Sequence, residues 1–130
     1  MYKSTTEDVT VSVEAVYLSG ESHPEKNLYV WAYKVRIENN GTETLQLKTR
    51  HWRITDAYGR VQEVYGEGVV GEQPVLKPGE SFEYTSGTPL NTPDGIMVGD
   101  YAMAKENGRL INVAIPAFSL HRSDVTKTLN

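Results

Sequence analysis

The chain has 130 residues, a formal net charge of −4 and no cysteine. That length makes one domain that can bury a core unaided, and the missing thiols exclude a disulfide framework, a cysteine nucleophile and a thiolate metal site. The acidic balance disfavours general nucleic-acid binding, which relies on Lys and Arg displacing counterions from the backbone. The N-terminal residues show no signal-like apolar core, and no apolar run approaches the ~20 residues needed to span a bilayer. A cytoplasmic protein without membrane insertion is therefore expected.

The first regular element runs from Val9 to Tyr17, where Val9, Val11, Val13, Ala15 and Tyr17 are all apolar. This period of two predicts a strand with one buried face. A second strand is expected over residues 29–38, with Tyr29, Trp31, Tyr33, Val35 and Ile37 on one face. Its other face begins apolar at Leu28, Val30 and Ala32 and then turns charged. A strand apolar on both faces is usually central, and the alternative is a contact surface for self-association or a partner.

Shorter strands are expected at 44–48, 51–55, 61–65, 81–86, 96–104 and 110–115. Turn signals separate them: Asn39-Asn40-Gly41, Tyr58-Gly59, Lys77-Pro78-Gly79, Pro93-Asp94-Gly95 and Asn107-Gly108. Asn-Gly between alternating runs is a strong hairpin cue. The Pro78-Gly79 turn feeding a strand is typical of a place where the chain changes sheet. No ten-residue window carries a helical stripe. About seven to nine antiparallel strands predict an all-β, immunoglobulin- or fibronectin type III-like β-sandwich. One such domain is expected over residues 3–127, with a fraying polar tail after Leu120.

One hairpin can be registered from chemistry alone. Asp56-Ala57-Tyr58-Gly59 fits a type I turn, with Asp first and Gly fourth, and pairs Asp56 with Arg60. Trp52 then faces Val64 and Arg53 faces Glu63, an apolar pair and a charge pair. Extended further, the ladder sets Arg50 near Gly66 and Lys48 near Gly68. The inward parity changes between Leu47 and Trp52, which calls for a bulge or a sheet crossing there.

That ladder leads to Gly66-Glu67-Gly68-Val69-Val70-Gly71, which spells GxGxxG. A working dinucleotide fingerprint needs a helix after the loop, whose N-terminus holds the pyrophosphate. Here Glu72-Gln73-Pro74 follows instead, so the glycines read first as a tight loop. The anion-binding alternative is a nest of backbone N–H groups at Gly66, Gly68 and Gly71, helped by Lys48 and Arg50. In the basic segment 48–53, Trp52 or His51 could stack a base, or Trp52 could be core with the cations solvated. His23, His51 and His121 have no metal-ligand spacing, and Asp94 and Asp100 read as loop residues. No metal site, cofactor or catalytic residue is assigned, and a nucleotide pyrophosphate is the one ligand left open.

Several runs resemble the ApaG family. They are Arg50-His51-Trp52-Arg53-Ile54-Thr55-Asp56, the stretch from Gly66 to Pro74, the stretch from Leu76 to Gly87, Met97-Val98-Gly99-Asp100-Tyr101-Ala102-Met103 and Ile115-Pro116-Ala117-Phe118. The resemblance covers the chain from about Val9 to Leu120. It implies a fibronectin III-like sandwich in a small bacterial protein linked with Co²⁺ and Mg²⁺ resistance or efflux. Family members are often encoded beside a diadenosine-tetraphosphate hydrolase, and related domains in F-box proteins look like interaction modules. The family brings no catalytic residues. Its only proposed site, the glycine motif, falls on Gly66, Gly68 and Gly71. The expected function is a non-catalytic interaction domain with a protein partner; the alternative is a module binding a pyrophosphate-containing nucleotide at the glycine loop.

Overall fold

A computed structural model describes residues 1–122. The strands are β1 (Tyr2–Thr6), β2 (Val9–Tyr17), β3 (Tyr29–Asn39), β4 (Leu45–Asp56), β5 (Val61–Glu67), β6 (Val75–Leu76), β7 (Ser81–Leu90), β8 (Asp94–Lys105) and β9 (Leu110–His121). They form two antiparallel sheets, β1-β2-β3-β7 and β5-β4-β8-β9, with β6 paired to the start of β4. The fold is the expected all-β sandwich. Its only helical piece among the described residues is a 3-10 turn at Pro24–Lys26. The alternating faces of β2 and β3 meet β4, β8 and β9 in one core, in which Trp31, Tyr101, Phe118, Leu47 and Met103 are buried. Trp31 keeps its indole N–H satisfied by donating to the His121 carbonyl at 2.8 Å, as a buried indole requires.

The β4–β5 register matches the sequence reading. Asp56 N–H donates to Arg60 O, Trp52 pairs with Val64, Arg53 with Glu63 and Arg50 with Gly66. The sheet change at Pro78-Gly79 is also present, since β6 belongs to one sheet and β7 to the other.

Three expectations change. The strands expected at 44–48 and 51–55 are one continuous β4, bulged at Lys48: Leu47 pairs with Met103, but Thr49 pairs with Ala102. One extra residue reverses which side chains face inward. Asn40-Gly41 is not a hairpin, because β3 and β4 lie in different sheets. Buried Asn39 organises that crossing instead, donating to Glu43 O and Leu76 O and accepting from Gly41 N. β9 continues past residue 115 to His121, and a second bulge near Pro116 switches its buried side from odd to even positions. The fraying expected after Leu120 concerns mostly residues 123–130, which lie outside the described residues.

The two flanks of the sandwich differ. On one flank, side chains of β1 bridge to β9: Ser4 Oγ donates to Ala114 O, Ala114 N to Thr6 Oγ1, and Ser119 N to the Tyr2 hydroxyl. On the other flank the edges are β5 and β7. Among the described residues no hydrogen bond joins them, and cavities of about 320 and 260 Å³ lie between them.

Candidate functional site

The Lys48 bulge places Arg50 on the inner side of its sheet, in line with Trp52 and Ile54. The sequence reading had the segment's cations solvated outside; that holds for exposed Arg53 and not for Arg50. The Arg50 guanidinium lies across Gly66, where a Cβ would come within 2.7 Å of its Cζ, Nη1 and Nη2. From there Nη1 donates to the carbonyls of Glu67 (3.0 Å) and Gly68 (2.9 Å). Arg50 is thus brought to the glycine loop. Lys48 meets the same loop through its backbone, its carbonyl accepting from Gly68 N and from Gln73 Nε2.

The loop itself is a tight hairpin. Val69 and Glu72 exchange both backbone hydrogen bonds, at 2.8 and 2.9 Å. The two residues between them, Val70 (φ 44°) and Gly71 (φ 82°), both have positive φ, which defines a type I′ turn. Gly71 takes that conformation without cost. Val70 is β-branched and strained there, and its side chain stands in solvent at 54% exposure. Buried Val69 anchors the hairpin in the core. Gly68 combines positive φ with a close approach to the Glu72 carbonyl that leaves no room for a Cβ. The loop's N–H groups at Gly68, Val69 and Glu72 all donate to backbone carbonyls. Among the described residues no α-helix follows Gly71, the next element being β6, so the dinucleotide-fold context is missing, as expected.

The aromatic residues of the segment are engaged. Trp52 is 3% exposed and packs edge-on against Tyr33 and Phe118. His51 stacks on Tyr65 with ring centroids 4.3 Å apart. It also sits 3.4 Å from Asp100 and 3.8 Å from Glu63 on the outer face of the sheet. Hydrogen bonds from Tyr65 and Arg53 hold the Glu63 carboxyl below its ordinary range. Among the described residues, no group of three or more His, Asp and Glu side chains is arranged to hold a metal ion.

Arg50 also borders the 260 Å³ cavity on the open flank, together with Tyr33, Trp52, Gln62, Val64 and Ser86. Behind this wall the Tyr84 and Tyr101 hydroxyls bond to each other. Burial pushes both hydroxyls well above the ordinary tyrosine value. Burial raises Tyr33 as well, with Ser86 and then Arg50 pulling the other way. No acidic side chain lines this cavity, and no carboxylate lies within 4.0 Å of Arg50 among the described residues. Sequence reasoning found Arg50 but missed its inward aim, because parity shows that a bulge exists without showing where.

Fold and cleft together define an immunoglobulin- or fibronectin III-like sandwich, a class in which function sits on loops and sheet edges. Within that class the chain belongs to the ApaG family: a model of the ApaG domain matches residues 19–105. It is similar to Protein ApaG of Rhodospirillum centenum, 62% identical over 92% of both chains, and to Protein ApaG of Paramagnetospirillum magneticum, 59% identical over the full length of both. The crystal structure of a Bordetella pertussis protein described as ApaA superposes with a TM-score of 0.85 at 54% identity, covering 88% of this chain and 93% of that one.

Proposed function

We infer that the protein is a non-catalytic interaction domain of the cytoplasm, whose protein partner docks on the open β5–β7 flank. The observation that carries this reading is the contrast between the flanks. One is bridged by three hydrogen bonds, while the other leaves two strand edges facing each other across an unfilled cleft. Free edges attract strands, so natural sandwiches usually cover or blunt them; an edge left open beside a cleft suits strand addition by a partner. The family's link to Co²⁺ and Mg²⁺ homeostasis then runs through that partner. A photo-crosslinking residue at Gln62, in the cleft, should give a discrete adduct in cells. The same residue at exposed Lys3, on β1 at the bridged flank, should give none. No adduct at Gln62 overturns the reading, and a covalent dimer would identify a second copy as the partner.

A second reading places a nucleotide pyrophosphate at Gly66, Gly68 and Gly71, with Lys48 and Arg50 supplying charge. Its support is the Arg50 guanidinium held against the loop. Calorimetric titration with ATP and diadenosine tetraphosphate tests it: heat that disappears in Arg50→Ala supports the site, and no heat at millimolar ligand removes it.

A further inference from the structure

Resting on the interaction reading above, we propose that the β5–β7 cleft takes an extended peptide as an added strand on β7, with a carboxylate of that peptide seated on Arg50. Three observations converge on this occupant.

The first is the state of the β7 edge. Asn39 N–H donates to Glu80 O at 2.9 Å, which fixes the alternation of the β3–β7 ladder. Even-numbered β7 residues bond to β3. The N–H and C=O groups of Glu83, Thr85 and Gly87 face outward, and Pro89 adds a carbonyl alone. From Glu83 to Pro89 this edge is about 20 Å long at ~3.4 Å per residue, enough for a strand of five or six residues. Gly87 has no side chain to hold a neighbouring backbone away.

The second is the uncovered inner face of β5. β9 packs against both β1 and β2, whereas β5 and β7 make no comparable approach, so the inner face of β5 is left uncovered at the opposite flank. Its inward residues are Gln62, Val64 and Gly66. Val64 remains only half-buried although its cross-strand partner Trp52 is core. A strand added to β7 would lie over this face, and its inward side chains would fill the 260 Å³ cavity.

The third is charge. Arg50 spends Nη1 on two carbonyls and has no carboxylate within 4.0 Å among the described residues, which leaves its Nε and Nη2 N–H groups for a ligand. A planar guanidinium binds a carboxylate in two-pronged geometry. The cavity offers it hydroxyls and an amide but no acid. A peptide carrying one Asp or Glu at an inward position supplies the missing charge, and its flanking inward residues meet Val64 and Trp52.

The test selects phage-displayed random heptapeptides on the full-length protein. Enriched peptides should carry a fixed Asp or Glu with β-branched or aromatic residues two positions before and after it, so that all three share the inward face. A synthetic Glu peptide should bind at least tenfold more tightly than its Gln counterpart, and Arg50→Gln should erase that difference. Thr85→Pro removes one outward-facing N–H without touching the β3 ladder and should weaken both peptides. If that variant does not fold, amide shifts at Glu83, Thr85 and Gly87 of the unmodified protein report the same contact. Cleft binding with equal affinity for the Glu and Gln peptides overturns the role of Arg50 while leaving partner docking intact. No enrichment, or binding that leaves the β7 amides unmoved, overturns strand addition. The Gln62 crosslink still decides the broader docking reading.

Discussion

Val70→Asn should stabilise the protein. Val70 occupies the first central position of a type I′ turn at φ 44°, followed by Gly71 at φ 82°. The left-handed region costs an ordinary L-residue about 1–2 kcal/mol, and a β-branched side chain fits it worst. Asn tolerates the region, and Asn-Gly is the preferred pair for this turn. Against that gain stands the loss of apolar contact. Val70 is 54% exposed, so less than half of its side chain is covered, and Asn, similar in size, keeps part of the contact. The expected net gain is about 0.5–1.5 kcal/mol, or a rise of about 2–6 °C in Tm for a domain of this size. Urea unfolding is the assay, with the midpoint rising at constant m-value. A midpoint that falls or stays put refutes the argument, and would mean that the Val70 contacts outweigh its backbone strain.

Tyr84→Phe and Tyr101→Phe should each cost about 1–3 kcal/mol, because each strands the other hydroxyl in the core, whereas the double variant should recover most of the loss. Additive costs in urea unfolding would show that the pair is not coupled. Burial raises the hydroxyl pKa of Tyr84, Tyr101 and Tyr33, so these groups hold their protons in the native state after they would ionise in the unfolded chain. The linked stability is fully present below pH ~10 and is lost as pH rises above it. Absorbance at 295 nm should show these tyrosines ionising only with unfolding; ordinary titration of all eight tyrosines in the native protein contradicts this. Gly66→Ala should push the guanidinium off the strand and cost about 1–2 kcal/mol through its lost hydrogen bonds. In an Arg50→Met background that cost should shrink, and an unchanged cost would sever the link between the two residues.

The β4–β5 hairpin was fully legible because its turn chemistry, its apolar pair and its charge pair all required the same register. β1 was not, since Tyr2–Thr6 carries mostly polar residues and no apolar stripe; tertiary pairing with β2 makes it a strand. Asn40-Gly41 misled because a turn signal fixes a local bend and says nothing about which sheet the chain enters next. Of the glycine motif, the sequence could tell that its helix was missing. It could not tell that Gly66 makes room for Arg50, a contact set by the opposite strand. The cleft was invisible for a similar reason: it depends on how closely the two sheets approach at that flank, which no local pattern records.

The Lys48 bulge works like a frameshift within a strand. Up to Leu47 the buried side is the odd-numbered one, and from Arg50 onward it is the even-numbered one. The inward charge is therefore specified by the register that the bulge sets as well as by the identity of residue 50. Flattening the bulge at unchanged length would bring the odd-numbered side of the following strand inward, with Thr49, His51 and Arg53 in place of Arg50, Trp52 and Ile54, whereas deleting Lys48 would restore one-to-one pairing with β8 and keep Arg50 inward. Substitution at residue 50 can tune the guanidinium, but moving it out of the cleft takes a one-residue shift of the β4 ladder. Variation at this site is thus channelled toward changes of side chain on a ladder of fixed register.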